Sequence, residues 1–241
     1  MTSQPKTFIS FSPPCLDSDE IDEVADTLRS DWITTGPKVK RFEEEFAKFL
    51  GAPAALAVSP GTDAMLVGLA ALGIRPGDQV ITTALTFCST VHVIEQLGAR
   101  PMLVDVEPDT LNINPELVER AITPHTRALM PVHLYGHPCE MDPIMEVARQ
   151  HNLSVVEDAA HAASALYKTR KIGSIGTATA FSFYATKNLT TAEGDMLTGA
   201  PDLIKEARLW SLHGMTTTPT SVTAQRDPGT TRWPFPVSSA I

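Results

Sequence analysis

The chain is 241 residues long, 43% apolar and 20% charged, the composition of a soluble globular protein with room for one large α/β domain or two small ones. Its 19 basic residues against 28 acidic ones leave a net charge of −9, which argues against nucleic acid or an anionic membrane surface as the main partner. Three scattered cysteines, Cys15, Cys88 and Cys139, make no disulfide framework and fit a reducing cytoplasm.

Met1 to Cys15 has no continuous apolar run behind a basic start, so no secretory leader is expected. Asp17 is placed to cap a first helix, and Glu20 completes a capping box. The apolar residues Ile21, Val24, Ala25 and Leu28 recur at helical spacing behind it. The turn Thr34-Thr35-Gly36-Pro37 breaks that helix, and a second amphipathic helix follows with Phe42, Phe46, Phe49 and Leu50 on one face. From Ala54 onward, short apolar strands alternate with helices. The strands are expected at Ala55–Val58, Gln79–Thr82, Arg100–Val104, Thr126–Pro131, Ser154–Glu157 and Ala180–Phe183. The helices are expected at Asp63–Leu72, Thr90–Leu97, Pro115–Ala121 and Pro143–His151, with Asn114 as an N-cap before a proline at the first helical position. This alternation predicts an α/β fold with a mostly parallel central sheet and helices on both faces. The most apolar helical stretch, Ala64 to Ile74, is far shorter than the roughly 20 residues that span a bilayer. After Met215 the chain turns to threonine and proline, and residues 216–241 read as an irregular tail.

Ligands of open α/β sheets gather at the carboxyl ends of the strands. After Val58 comes Ser59-Pro60-Gly61-Thr62 and then a helix, whose exposed N–H groups and positive dipole end suit a phosphate. Phe87 lies just beyond the next strand end, where an aromatic ring can lie flat against a planar cofactor or simply fill the core. The run Val155-Val156-Glu157-Asp158-Ala159-Ala160-His161 brings at least one carboxylate to the ligand edge. Such a carboxylate can keep a pyridine nitrogen protonated; the other reading is an Asp158 that only caps a helix. Beyond the aromatic strand Phe181-Ser182-Phe183-Tyr184 stands Lys187, flanked by Thr186 and Asn188. A lysine in a low-dielectric site loses its proton more easily and becomes an amine nucleophile for carbonyl compounds. No G-x-G-x-x-G follows a strand, so dinucleotide binding is unsupported. His133, His137 and Cys139 lack a second ligand pair that would complete a zinc site, so no metal is expected.

Taken in order, Ser59-Pro60-Gly61-Thr62-Asp63, Glu157-Asp158-Ala159-Ala160-His161 and Ser182-Phe183-Tyr184-Ala185-Thr186-Lys187-Asn188 resemble the DegT/StrS family of nucleotide-sugar aminotransferases. The resemblance runs from about Phe11 to about Met215 and includes Trp32 to Pro37 and Pro131 to Gly136. It implies a fold-type I large domain over residues 1–215, with the helices of 15–50 included and pyridoxal 5'-phosphate at the sheet edge. Lys187 would hold the cofactor and move the α-proton of the amino acid, Asp158 would pair with the ring nitrogen, and Phe87 would stack on the ring. Gly61, Thr62 and Ser182 would hold the phosphate, and His161 would stand near the ring or the substrate. Alternation along the strand sends Glu157 to the opposite face from Asp158. The small-molecule substrates implied are an amino donor, commonly glutamate, and a nucleotide-linked keto-sugar, turned over by a homodimer.

Two departures from the family pattern stand out. Where Glu-Gly-Gly is usual, this chain reads Glu193-Gly194-Asp195, putting a new negative charge near the site at a position where a glycine often provides positive φ or close approach. The second domain of the family is also expected to be absent. These departures leave open a second reading, a catalytically silent remnant that still binds pyridoxal phosphate.

Overall fold

The computed structural model describes residues 12–30, 32–59 and 62–215. The expected tail at 216–241 lies outside them. Both predicted caps form. Asp17 accepts from the Asp19 N–H while Glu20 holds the Asp17 N–H, opening α1 (Ser18–Arg29). Asn114 accepts from the Glu116 and Leu117 N–H groups, opening α5 (Pro115–Arg120). The turn at Gly36 leads into α2 (Pro37–Leu50), which ends on Gly51 in the left-handed conformation.

The remaining elements are β1 (Ala54–Val58), α3 (Asp63–Ala71), β2 (Gln79–Thr83), α4 (Ser89–Gln96), β3 (Arg100–Val104), β4 (Thr126–Leu129), α6 (Met141–His151) and β5 (Ser154–Asp158). A two-stranded ribbon, β6 (Leu166–Tyr167) with β7 (Arg170–Lys171), follows, and then β8 (Ala178–Ser182), β9 (Asp195–Gly199) and α7 (Pro201–Ser211). Seven strands form one sheet in the order β1-β9-β8-β5-β4-β2-β3. Every adjacent pair is parallel except β1–β9 and β8–β9, so β9 alone runs against the rest.

Strand alternation divides the interior into two layers. One contains Ala55, Ile81, Leu129, Val155, Phe181 and Met196, packed against α2, α5 and α6. The other contains Leu56, Val80, Ala128, Val156, Ala180 and Leu197, packed against α3, α4 and α7. The strands are apolar on both faces because both faces are covered. Phe46 closes the first layer with edge-on contacts to Phe181 and Phe183 at centroid separations of 5.2 and 5.3 Å. Glu43 ties three elements together: it accepts the Ala57 N–H of β1 at 2.9 Å and pairs with Arg208 of α7 at 2.8 Å. By contrast, α1 buries none of its residues among those described.

Candidate functional site

The parallel strands deliver their carboxyl ends to one edge of the sheet, and a cavity of about 430 Å³ opens there. Thr62, Phe87, Asp158, His161, Ser182 and Lys187 all line it. Gly61, the remaining expected site residue, lies outside the described residues.

Asp158 ends β5 and is buried. Its Oδ2 accepts from the Thr90 hydroxyl at 2.7 Å, and its Oδ1 from the Ala160 N–H at 3.2 Å. Thr90 has a single proton and gives it to Asp158, so the Thr86 hydroxyl 2.7 Å away must donate to Thr90. The carboxylate is thereby held by a two-hydroxyl relay from the start of α4. Neither threonine stood out in the sequence, because the contact spans 68 positions and exists only in the fold.

Glu157 faces the other layer and never reaches the cavity. Its Oε1 accepts from the Gly176 N–H at 2.8 Å and the Thr179 hydroxyl at 2.7 Å. Its Oε2 lies 3.0 Å from Nε2 of His133. The Cys139 N–H donates to Nδ1 of that ring at 3.0 Å, so Nδ1 carries no proton and the ring is neutral with its proton on Nε2, aimed at Glu157. Gly176 is required here, since a Cβ would come within 2.8 Å of the Glu157 carboxylate. His133 and Cys139 are therefore spent on this buried network, whose thiol burial pushes up to about 12. Among the described residues no cluster of His, Cys, Asp and Glu could hold a metal ion.

Lys187 follows β8 on a turn closed by its own N–H to the Tyr184 carbonyl. Its Nζ lies 2.6 Å from Nε2 of His161. Burial holds the Lys187 ammonium below the ordinary lysine range, with the charges of Asp158 and Asp195 opposing. Burial, and then the Lys187 charge, likewise hold His161 below its usual value against the pull of Asp158. The Tyr135 ring lies parallel to the His161 ring, 6.2 Å between centroids. At the cavity mouth Phe87 is 75% exposed, a large aromatic with little covering it.

At the far end stand Ser182, the buried last residue of β8, and Thr62, the N-cap of α3. Thr62 makes no side-chain capping bond. Asp195 lies across from Ser182 in the β8–β9 register. Asp195 does not need the backbone freedom that a glycine would offer: the positive φ of 133° falls on Gly194, and Asp195 is ordinary strand. The expected charge near the site is there, but it is buried.

The cavity combines a braced carboxylate, an amine disposed to lose its proton, and a hydroxyl beside a helix N-terminus. The family model described as "DegT/DnrJ/EryC1/StrS aminotransferase family" matches residues 14–231. The spore coat polysaccharide biosynthesis protein SpsC of Bacillus subtilis is 52% identical over 216 residues, covering 89% of this chain and 56% of that protein. The Streptococcus pneumoniae protein Spr1654 in its PLP form superposes with a TM-score of 0.85 at 36% identity, over 93% of this chain and 62% of that one. DesI, solved in the presence of its TDP-sugar product, gives a TM-score of 0.81 at 32% identity, over 90% and 55%. The chain thus spans little more than half the length of the curated relative. Its architecture is that of the fold-type I large domain expected from the sequence.

Proposed function

This chain belongs to the DegT/DnrJ/EryC1/StrS aminotransferase family, and on that premise we propose that it forms the cofactor-binding part of a pyridoxal-phosphate-dependent enzyme that transfers an amino group from glutamate to a nucleotide-linked keto-sugar. The cavity fits the cofactor in size and in donor set: about 430 Å³ lies within the range of sites for molecules of this class. When bound, the cofactor supplies a carbonyl carbon for an amine and a pyridine ring that draws electron density from it.

The protein's own groups then have distinct work. Asp158, braced by Thr90, would keep a proton on the ring nitrogen, which is what makes the ring an electron sink. Lys187, whose ammonium is held by burial below the ordinary lysine range, would attach the cofactor and, once displaced, take the α-proton of the amino donor. His161 orients that amine through the 2.6 Å contact. Phe87 would cover one face of the ring. Thr62, Gly61 and Ser182 would hold the phosphate at the start of α3. A nucleotide-linked sugar is favoured as acceptor by the TDP-sugar product of DesI and by the polysaccharide pathway of SpsC. A homodimer and a cytoplasmic location complete the proposal. Three free cysteines support that location, and no described helix is long and apolar enough to cross a membrane.

The observation that carries the reading is the union in one cavity of Asp158 with its relay and Lys187 with its depressed ammonium. Its test is the half-reaction. Protein loaded with pyridoxal phosphate should lose its visible absorbance on addition of glutamate, and Lys187→Ala should abolish the change. Cofactor uptake with no response to glutamate would favour the silent remnant instead.

A further inference from the structure

An acid, Asp195, lines the cavity that adjoins the Thr62 and Ser182 end of the site cavity. Asp195 pairs with Ser182 on one side and Val58 on the other, between the strand that ends in Ser182 and the strand that leads to α3. It is only 4% exposed, and its Oδ1 has no hydrogen-bond partner among the described residues. The nine-residue helix α3 receives no side-chain bond from its own N-cap, Thr62. The start of that helix, at Ala64, and the Ser182 side chain are near enough to the carboxyl to oppose part of its rise. These are donors of the kind that a phosphate would use.

We propose that the Asp195 carboxylate is an internal anion at the start of α3, which competes with the phosphate of an incoming ligand for the helix N-terminus and the Ser182 hydroxyl. The inference rests on the cofactor reading above and adds a control on its affinity. Two anions sharing a buried, low-dielectric site repel, so one must be neutralised or displaced for the other to settle. The charged surroundings give little relief. Asp63 of α3 and Asp158 of β5 are further acids facing this carboxyl, Glu193 lines the adjoining cavity, and β1 contributes only Val58. Lys187 is the nearby cation that feels the charge of Asp195. Arg208 of α7 lines the same cavity but is held by Glu43.

Burial first, then the two acids, push the Asp195 carboxyl up to about 7 against Ser182 and the start of α3. Below that pH the competitor is neutral; above it the competitor is charged. If a phosphate settles only when Asp195 is protonated, its Kd rises about tenfold for each pH unit above the midpoint.

The test is titration of pyridoxal phosphate into wild type, Asp195→Asn and Asp195→Gly at pH 6 and pH 8, followed by absorbance. Circular dichroism verifies folding, and the glycine variant carries the test if the asparagine does not fold. Comparing variants cancels the titration of the ligand itself, and pyridoxal, which meets the same Lys187, accounts for any change in the titration of that lysine. The Kd of wild type relative to either variant should be near unity at pH 6 and about tenfold at pH 8. Pyridoxal, which lacks the phosphate, should show no such ratio, and inorganic phosphate should displace pyridoxal phosphate more readily from the variants. A ratio that stays near unity at both pH values, or that is equally large for pyridoxal, overturns the inference and leaves the cofactor reading standing. Failure of all three proteins to take up pyridoxal phosphate at pH 6 overturns both.

Discussion

Glu157 and Asp158 adjoin in sequence and meet opposite environments, because successive side chains on β5 point to opposite faces. The Glu157 carboxylate receives the Nε2 proton of a neutral His133. Glu157→Gln would turn an amide N–H toward that N–H or flip and leave other donors unmet. The expected loss is about 1–3 kcal/mol in urea unfolding. Asp158→Asn should barely change stability, yet it should slow α-proton removal by on the order of a hundredfold, since the ring nitrogen loses its anion. A crippling Glu157→Gln with a mild Asp158→Asn would reverse the assignment. Asp195 has a separate signature. Its folded carboxyl lies near 7 against an ordinary 3.8, so the folded state binds the extra proton between those values and stability falls as pH rises through them. Wild type should lose on the order of 2–3 kcal/mol relative to Asp195→Asn between pH 5 and pH 8. Urea midpoints at the two pH values read this directly, and equal trends would show that the carboxyl ionises freely. Of this site, Lys187, Asp158 and Ser182 were legible because each stands at a strand end or just beyond one. Thr86 and Thr90 were not, because a threonine at a helix start says nothing of an acid 68 positions away.

At the scale of elements, the capping residues Asp17, Glu20 and Asn114 and the apolar periods behind them announced α1 and α5 in the sequence. β9 escaped notice because it opens on an aspartate behind a glycine and closes on a glycine, although all five residues are buried. α7 carries the signal of a proline at its first turn and apolar residues at Leu203, Ile204 and Ala207. With no strand expected before it, that signal had no place in the alternation. These two elements complete one side of the sheet, and Glu43 joins α7 to α2 and β1. Glu43→Ala would strand both the Ala57 N–H and the partly buried Arg208 guanidinium. A loss of about 2–4 kcal/mol is expected in urea unfolding. Adding Arg208→Leu should recover part of it, because the stranded charge is then gone; no recovery would mean that the pair does not couple.

For the whole molecule, a mostly parallel sheet with helices on both faces could be expected from the alternation of elements alone. The reversed direction of β9 could not, since strand direction depends on connections and not on composition. That arrangement brings the ends of β1, β5 and β8 to one edge, where residues from positions 62 to 193 share a single cavity. The chain spans 56% of its curated relative, and cofactor contacts named here all lie within this part. The most direct test is to add pyridoxal phosphate at pH 6, reduce with borohydride, digest and map the pyridoxyl group. The account predicts one dominant modified peptide, labelled at Lys187 and lost in Lys187→Ala. Label spread over surface lysines, or none at Lys187, would contradict it.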